Sequence, residues 1–365
     1  MRAPLVSILI PAYNAQEFLG DTLRSAIAQT WPNKEIIVVD DGSTDQTVAV
    51  ARRFESEGVR VVTKKNAGAA AARNHAYSLC QGEYIQWLDA DDLLTPDKIS
   101  LQMEAAEECS KRTLLSCGFS KFMYRWYNAQ FVPTALWEDL SPADWLVRKM
   151  GQNVYMQTAT WLVSREVTEA AGPWNTNMLS DDDGEYFCRV LMQSDGTRFV
   201  PDAKVYYRAL GSESLSQVEQ SDRKVEALWH SMRLHVGYLR TLEESARSHA
   251  AALHYLQIRM VYFYPDRPDI VEEMQKLAAE MGGHLDPPSM SWKYSWIKAV
   301  TGWSFAQKVS LALRRRKFLA VRSLDKMLYG MEKHKPIGQS PLRRTNFSPT
   351  PAERKIHVVQ GSRHS

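Results

Sequence analysis

The sequence predicts an α/β protein built on a doubly wound, mixed but mainly parallel sheet, followed by a helical C-terminal extension. Three observations lead there. Short β-branched runs alternate with amphipathic helical stretches as far as Asp92. The connections between them are a few residues long, which suits a right-handed crossover sheet. From about Asp222 the apolar spacing is helical only.

Val6 to Ile10 is a continuous apolar run, as in a strand buried on both faces, and Pro11-Ala12-Tyr13-Asn14 ends it. Glu17 to Gln29 reads as a helix with Leu19, Leu23, Ala26 and Ile27 on one face, stopped by Trp31-Pro32-Asn33. Lys34 to Asp40 is the second strand. It runs into Asp40-Asp41-Gly42-Ser43-Thr44-Asp45, a turn rich in capping residues. Thr47 to Glu57 is the next helix and Val59 to Thr63 the third strand. Asn66-Ala67-Gly68 opens an alanine-rich helix through Arg73-Asn74, and Tyr84 to Leu88 is the fourth strand. It leads into Asp89-Ala90-Asp91-Asp92. Parallel sheets bind ligands beyond the carboxyl ends of their strands, and the unusual residues fall at those ends.

Three carboxylates in four positions repel one another unless a cation lies between them. Mg²⁺ or Mn²⁺ takes one or two carboxylates and leaves its other positions to water and phosphate oxygens. The plainer alternative is a polar strand end beside a helix cap, since Thr95-Pro96 starts a helix well. Neither GxGxxG nor GxxxxGK[ST] is present, so a phosphate-bearing ligand would lack the usual backbone cradles and would need a metal. A Tyr13 ring suits stacking on a base, an Asp41 carboxylate suits an imide N–H such as that of uracil, and Arg73 suits an anionic ligand. Against this, Asp40 and Asp45 also serve as caps and Tyr13 as a packing residue.

Pro96 to Cys109 follows as an amphipathic helix, then Thr113 to Phe119 and Phe122 to Tyr127 as strands. Ser141-Pro142 starts a helix, Thr158 to Val163 reads as a strand, and Ser164 caps the next turn. Ser180-Asp181-Asp182-Asp183-Gly184-Glu185 precedes a helix from Tyr186 to Gln193. Aspartates at a helix N-terminus also simply complement its dipole. Thr197 to Pro201 and Ala203 to Arg208 close the sheet. Lys224 to Tyr264 and Asp269 to Met281 are helical, and Gly282 to Ser289 is a linker. Trp292, Trp296, Trp303 and Phe305 precede a helix from Lys308 to Tyr329 that contains Arg314-Arg315-Arg316-Lys317. From Lys308 to the end there are 14 Lys and Arg against 3 Asp and Glu. That helix suits an anionic membrane surface, a solvated face packed on the rest of the protein, or an RNA-contacting patch.

The net charge of the whole chain is only +3, which excludes a general polyanion binder, and no nucleic-acid partner is expected. Cys80, Cys109, Cys117 and Cys188 are scattered and form no CxxC pair, which points to reduced thiols and a cytoplasmic setting. The short apolar run near the start reads as a buried strand rather than a signal peptide. No apolar run approaches the roughly 18 residues of a membrane span.

Four segments together, Val6-Ser7-Ile8-Leu9-Ile10-Pro11-Ala12-Tyr13-Asn14, Val38-Val39-Asp40-Asp41-Gly42-Ser43-Thr44-Asp45, Asn66-Ala67-Gly68 with Ala72-Arg73-Asn74, and Leu88-Asp89-Ala90-Asp91-Asp92, resemble the family 2 glycosyltransferases of GT-A fold. The likeness is clear over about residues 5–100 and weaker to about 216. It implies an inverting transferase that moves one sugar from a nucleotide diphosphate sugar, a UDP-sugar foremost, with Mg²⁺ or Mn²⁺. The acceptor would be a saccharide or lipid-linked saccharide, as in cell-surface polysaccharide or glycolipid synthesis. By the same likeness Pro11, Ala12, Tyr13, Asp41, Arg73 and Asp89 bind the nucleotide, and Asp91 of the DxD pair holds the metal. Asn14, Asn66, Gly68, Ala90, Asp92, Asp182 and Arg208 are supporting positions.

The family carries a Glu-Asp pair at the start of a later helix. Counting back from Arg189 matches Asp182 to the Glu and Asp183 to the Asp, which makes Asp183 the candidate general base, with Asp181 its closest competitor. Trp161 and Trp174 suit stacking on an acceptor sugar or core packing equally. The segment Tyr206-Tyr207-Arg208-Ala209-Leu210 resembles a family stretch reading Tyr-Arg-x-His, with Leu210 where the histidine would stand, so any role of that histidine is in question here. Ser212, Ser214 and Ser216 would form a flap over the diphosphate or a solvated loop. No Gln-x-x-Arg-Trp follows the second acidic cluster, which favours single addition. The expected organisation is a catalytic domain at 1–220, a helical region at 221–334 and a disordered tail at 335–365, on or near the inner membrane face. The rival readings are a nucleotidyltransferase, which would release pyrophosphate, and a catalytically silent nucleotide-sugar-binding scaffold.

Overall fold

A computed structural model describes residues 3–210 and 222–332. Its central sheet holds β1 (Val6–Ala12), β2 (Lys34–Asp40), β3 (Val59–Thr63), β4 (Tyr84–Trp87) and β7 (Val163–Ser164) in the order β3-β2-β1-β4-β7. The first four run parallel and β7 pairs antiparallel with β4. A second sheet has the order β5-β8-β6, from β5 (Leu93–Leu94), β6 (Thr113–Phe122) and β8 (Gly196–Arg208). The sheet is therefore the mixed, mainly parallel one expected.

The β-branched runs are central because they are apolar on both faces. Val6, Ile8, Leu9, Ile10, Ile37, Val38 and Val39 are all fully buried. Helices α1 (Leu19–Ile27), α2 (Thr47–Arg52) and α3 (Ala69–Leu79) supply the crossovers. The chain steps outward from β1 through β2 to β3, then returns to the other side of β1 as β4. The β1–β4 boundary is thus the topological switch point, where a crevice opens beyond the strand ends. Tyr13 follows β1 and Asp89 to Asp92 follow β4, so both flank that crevice.

The second half is less regular than its sequence pattern. β6 is one strand through Phe122, and the expected strand at Phe122 to Tyr127 is replaced by a 3₁₀ turn at Trp126–Asn128. Thr158 to Val163 is not a strand. Thr158–Thr160 forms a 3₁₀ turn and only Val163–Ser164 pairs, because Gln157 bends the chain by accepting from the Ala159 N–H. The two closing strands are one, β8, whose pairing with β6 shifts register at Cys117/Gly118. The helix expected at Thr47 to Glu57 ends at Arg52 and becomes a 3₁₀ turn, closed by left-handed Gly58.

Helices α4 (Lys98–Ala106), α5 (Pro142–Gly151), α6 (Arg165–Ala171) and α7 (Asp182–Met192) cover the sheets. The extension contributes α8 (Asp222–Leu242), α9 (Ala246–Arg259), α10 (Pro268–Glu280), α11 (Trp292–Thr301) and α12 (Trp303–Met331). The helical run expected at Lys224 to Tyr264 is two helices, divided at Glu243 to Ser245 by a capping box between Ser245 and Ser248. Val225, Leu228, Trp229, Met232, Val236 and Leu239 recur at helical spacing and form the buried face of α8, which packs on α7 and α5. One continuous apolar cluster runs from Val6 to Leu285, so α8, α9 and α10 extend the same core that carries the sheet. At its far end α12 returns to the first half: Asp325 pairs with Arg125 at 2.7 Å and Lys326 with Glu17 at 2.8 Å.

Candidate active site

The crevice is assembled from strand-end loops that hold one another. Asn14, at a left-handed φ of 47°, accepts from the Thr44 N–H at 2.9 Å, and its own N–H donates to the Ser43 hydroxyl at 2.9 Å. Asp40 accepts from the N–H groups of Gly42 and Ser43, so it is a turn cap, as its plainer reading holds. Gly42 has φ +75°, and a side chain there would press on the Asn66 backbone. Asn66 donates to the Asp41 carbonyl at 2.8 Å. Tyr13, at 53% exposure, projects from this frame with its ring free to take a planar partner.

Asp41 is placed differently from its sequence reading. Its carboxylate is buried and accepts from Lys64 Nζ and from the N–H groups of Ala67 and Gly68, the last at 2.7 Å. Its oxygens face the 64–68 loop, and in this structure it fixes that loop beside Tyr13 rather than offering a free acceptor to a base. Gly68, at φ +92°, is the N-cap of α3 and can supply that N–H because its backbone is left-handed.

Arg73 joins the two acidic clusters. It is 7% exposed; Nη2 donates to Asp89 and Nη1 to Asp182, each at 2.8 Å, and its guanidinium lies 4.3 Å from the Trp174 ring centroid. Asn74 clamps the Trp174 backbone with two hydrogen bonds of 2.8 Å. A side chain on α3 thus fixes the end of β4 against the start of α7, across more than one hundred residues of sequence. Trp174 stacks on Tyr186 at 4.0 Å and Trp161 on Phe187 at 5.5 Å; both tryptophans are buried core residues.

The three carboxylates after β4 have separate surroundings. Asp89 pairs with Arg73. Asp92 is fully buried and accepts from Gln157 Nε2 and from the Arg208 N–H, so it is an internal strut; burial, with Asp91 and Asp89 nearby, drives its pKa well upward. Asp91 is half-buried, and its carboxylate has no hydrogen bond or ion pair to another residue among the described residues. Burial and the Asp89 charge push its pKa to about 6, with Arg208 opposing. A deprotonated carboxylate held there without a partner suits a hard divalent cation. Among the described residues no group of three or more His, Cys, Asp or Glu converges on a metal site; Asp89 and Asp91, just after β4, are the carboxylates that would hold one. Mg²⁺ and Mn²⁺ commonly accept such a set, with phosphate and water completing the shell.

Arg208 is committed within the protein. Its Nε donates to the Asp91 carbonyl at 2.7 Å and Nη1 to the Met123 carbonyl at 3.0 Å, between the rings of Phe18 and Phe122. It shapes the Asp91 loop, and its Nη2 lies 3.9 Å from Asp21 Oδ2. The carbonyl of Leu210 accepts from Arg322 on α12 at 3.1 Å. Ser212, Ser214 and Ser216 lie outside the described residues.

Across the crevice, Asp181 has φ +58° and starts α7. A Cβ on Gly184 would press on the Asp181 carboxylate, so a larger residue there would displace that carboxylate. Asp181 accepts from the Ser231 hydroxyl at 2.7 Å. Burial opposes its ionisation, but His235, Lys149 and Arg259 outweigh that and hold its pKa below the ordinary value. His235 is itself driven to about 3 by burial, so at neutral pH the favourable charge comes from Lys149 and Arg259. Asp183, two residues on, is pushed up to about 7, first by burial and then by Asp182 and Asp181, against Arg73. Asp183 and Asp89 line the same cavity of about 560 Å³, together with Lys149, Tyr155, Gln157 and residues of the extension.

Residues 7–139 match the family model described as Glycosyl transferase family 2. Over this segment, about a third of the chain, the sequence is similar to glycosyl transferase family 2. The chondroitin synthase of Escherichia coli is 40% identical over 121 residues, 33% of this chain and 17% of that one. The chain spans less than half the length of the first curated relatives it matches. Two solved structures share the fold. S. aureus TarS 1–349 in complex with UDP-GlcNAc has a TM-score of 0.59 at 17% identity, over 75% of this chain and 81% of that one. The mannosyltransferase of Pyrobaculum calidifontis in complex with GDP-Man and Mn²⁺ has a TM-score of 0.51 at 18% identity, over 91% and 84%. The family 2 match ends at residue 139, so Asp181 to Asp183 and the extension lie beyond it. The sequence reading missed the cavity wall contributed by Lys149, Arg259 and Tyr262, because no motif marks residues that meet only through helix packing.

Proposed function

We infer that the chain is an inverting glycosyltransferase that moves a single sugar from a nucleotide diphosphate sugar, a UDP-sugar foremost, to an acceptor hydroxyl. One observation carries this reading: Asp89, from the nucleotide side, and Asp183, from the other acidic cluster, line one cavity, and Arg73 ties Asp89 to Asp182, the residue before Asp183. The fold neighbour bound to UDP-GlcNAc and the relative named chondroitin synthase support a nucleotide-sugar donor and a polysaccharide acceptor.

The exposed Tyr13 ring stacks on the base, beside the 64–68 loop that Asp41 holds. Pro11 and Ala12 end β1 and set the ring's direction. Asp89 contacts the ribose, with Arg73 fixing its orientation. A divalent ion bound by Asp91 with Asp89 would offset the charge of the departing diphosphate. Asp183 receives the proton of the acceptor hydroxyl as its oxygen attacks the anomeric carbon and the bond to the diphosphate breaks. Its elevated pKa supports that task, because a carboxylate titrating near neutrality is a stronger base than an ordinary one.

Incubation with a panel of UDP-, GDP- and dTDP-sugars and Mn²⁺ is expected to release the nucleoside diphosphate slowly from one of them. Pyrophosphate release from a nucleoside triphosphate would instead identify a nucleotidyltransferase. Binding without turnover of any sugar nucleotide, with every acceptor class tried, would leave the scaffold reading in its place.

The extension supports a membrane-proximal acceptor. Trp292, Trp296 and Val300 form one strongly exposed stripe on α11, and Arg314 to Lys317 are exposed on α12 beside Leu313, Leu319 and Val321. Among the described residues no helix is long and apolar enough to cross a bilayer, so contact would be peripheral. The chain is expected to sediment with vesicles containing phosphatidylglycerol and to be released by salt, with Trp292→Ala/Trp296→Ala reducing binding about tenfold. Equal sedimentation with neutral vesicles would remove the electrostatic part of this reading.

A further inference from the structure

The cavity wall farthest along the chain from the nucleotide motifs carries two cations, Lys149 and Arg259, and only one nearby carboxylate, Asp181, to balance them. Lys149, on the last turn of α5, is 6% exposed. Arg259, the last residue of α9, stands 4.6 Å from the Tyr255 ring centroid, and its Nε is buried without a hydrogen-bond partner. Neither side chain forms a hydrogen bond or ion pair among the described residues, although both line the cavity that Asp183 lines. Enclosing charge without a partner is costly, and a protein retains it where a ligand completes the pair.

The carboxylate present in that wall does not complete it. Asp181 is one anion facing two cations, and its Oδ2 also accepts from the Ser231 hydroxyl. His235 beside it is uncharged at neutral pH, with Nδ1 2.9 Å from the Tyr255 hydroxyl. Asp89 and Asp182 are paired with Arg73. The cavity therefore has a nucleotide-side end, Asp89 with Arg73, and a basic end, Lys149 with Arg259, and Asp183 belongs to the same space. Trp145, Tyr155 and Tyr262 give that space aromatic walls suited to sugar rings. Its volume of about 560 Å³ holds a saccharide of one or two residues.

We propose that Lys149 and Arg259 form an oxyanion subsite that selects an acceptor saccharide bearing a phosphate or a carboxylate close to the hydroxyl that is glycosylated. This rests on the transferase reading and adds the chemical class of the acceptor. The guanidinium of Arg259 can present two parallel donors to either group and the Lys149 ammonium a point charge, so the anion docks at the basic end and turns the hydroxyl toward Asp183.

The test uses the full chain with the donor side filled by UDP and Mn²⁺. Binding of glucose 6-phosphate, glucuronate and glucose is then measured by calorimetry. One or both anions are expected to bind at least tenfold more tightly than glucose, and which anion wins separates a phosphate-bearing from a uronic-acid acceptor. Lys149→Gln/Arg259→Gln is expected to bring all three to parity. Lys149→Arg/Arg259→Lys, which keeps the charge and guards against a folding defect, is expected to keep the preference. Equal affinity for glucose and the anions, or a preference that survives the double Gln variant with UDP still bound, overturns the subsite and leaves the transferase reading intact. Failure to bind any nucleoside diphosphate defeats the transferase reading and the subsite with it.

Discussion

Asp183→Asn is expected to lower kcat about 10²- to 10⁴-fold while leaving donor KM and the fold unchanged, the loss typical of removing a positioned general base. The amide keeps the size and the hydrogen bond from the Gly184 N–H but cannot take a proton. The wild-type profile should show the base directly. Asp183 acts deprotonated, so kcat/KM is expected to fall as pH drops through about 7, and that limb should vanish from the residual activity of the variant. Stability moves the other way. A carboxyl whose folded pKa lies above its unfolded value favours the folded state fully below the unfolded value, and that contribution is lost as pH rises through about 7. The Asn variant should therefore have an equal or higher Tm than wild type at pH 8. Low activity with a raised Tm is a pattern a misfolded variant cannot produce. Full activity in Asp183→Asn would move the base to Asp182 or Asp181, and Asp181 is the poorer candidate because Ser231 and the α7 turn already hold it.

The parts of this site that were legible in the sequence are those whose chemistry is local. The order β1 to β4 follows from β-branched runs separated by caps and amphipathic helices, and such strands have nowhere to lie but inside a covered parallel sheet. Tyr13, Asp89 and Asp91 lie near the crevice for the same reason: each is the residue at, or just after, a strand's carboxyl end. What could not be read depends on partners distant in the chain. Asp41 looks like an open acceptor until Lys64 and two N–H groups of the 64–68 loop enclose it. Arg208 looks like a ligand for phosphate until its donors are seen on the carbonyls of Asp91 and Met123. Arg73 was read as neutralising a ligand, whereas here it bridges Asp89 and Asp182, a pairing set by how α3 and α7 approach. Thr158 to Val163 has strand composition, yet the Gln157 turn overrides it. Lys149 and Arg259 carry no signal at all, being single basic residues on two helices that meet only through the packing of α9 on α5.

Asp91→Asn should produce the second large effect, and its sign depends on whether a cation is present. Without metal, the Asp91 carboxylate is held with no partner beside the Asp89 charge, and its pKa is raised to about 6. Its contribution to folding is present below the unfolded pKa and is lost as pH rises through about 6, so the ionised side chain destabilises the metal-free protein at pH 8. A shift of that size corresponds to a penalty on the order of 3 kcal/mol, which the Asn variant escapes. In EDTA the variant is therefore expected to melt above wild type. Mn²⁺ reverses the comparison, because an ion that binds only the folded state stabilises it by mass action. Wild type should gain several degrees with millimolar Mn²⁺ and the variant little or nothing. UDP binding in the presence of Mn²⁺ should weaken in the variant by roughly ten- to a hundredfold, and turnover should fall at least as far, since the diphosphate then leaves with its charge less well matched. Identical melting shifts with Mn²⁺ in the two proteins would place the ion elsewhere and return Asp91 to the plainer role of a loop residue beside the helix that Thr95-Pro96 introduces. The thermal readout needs no substrate, so it decides the metal assignment even before the donor sugar is known.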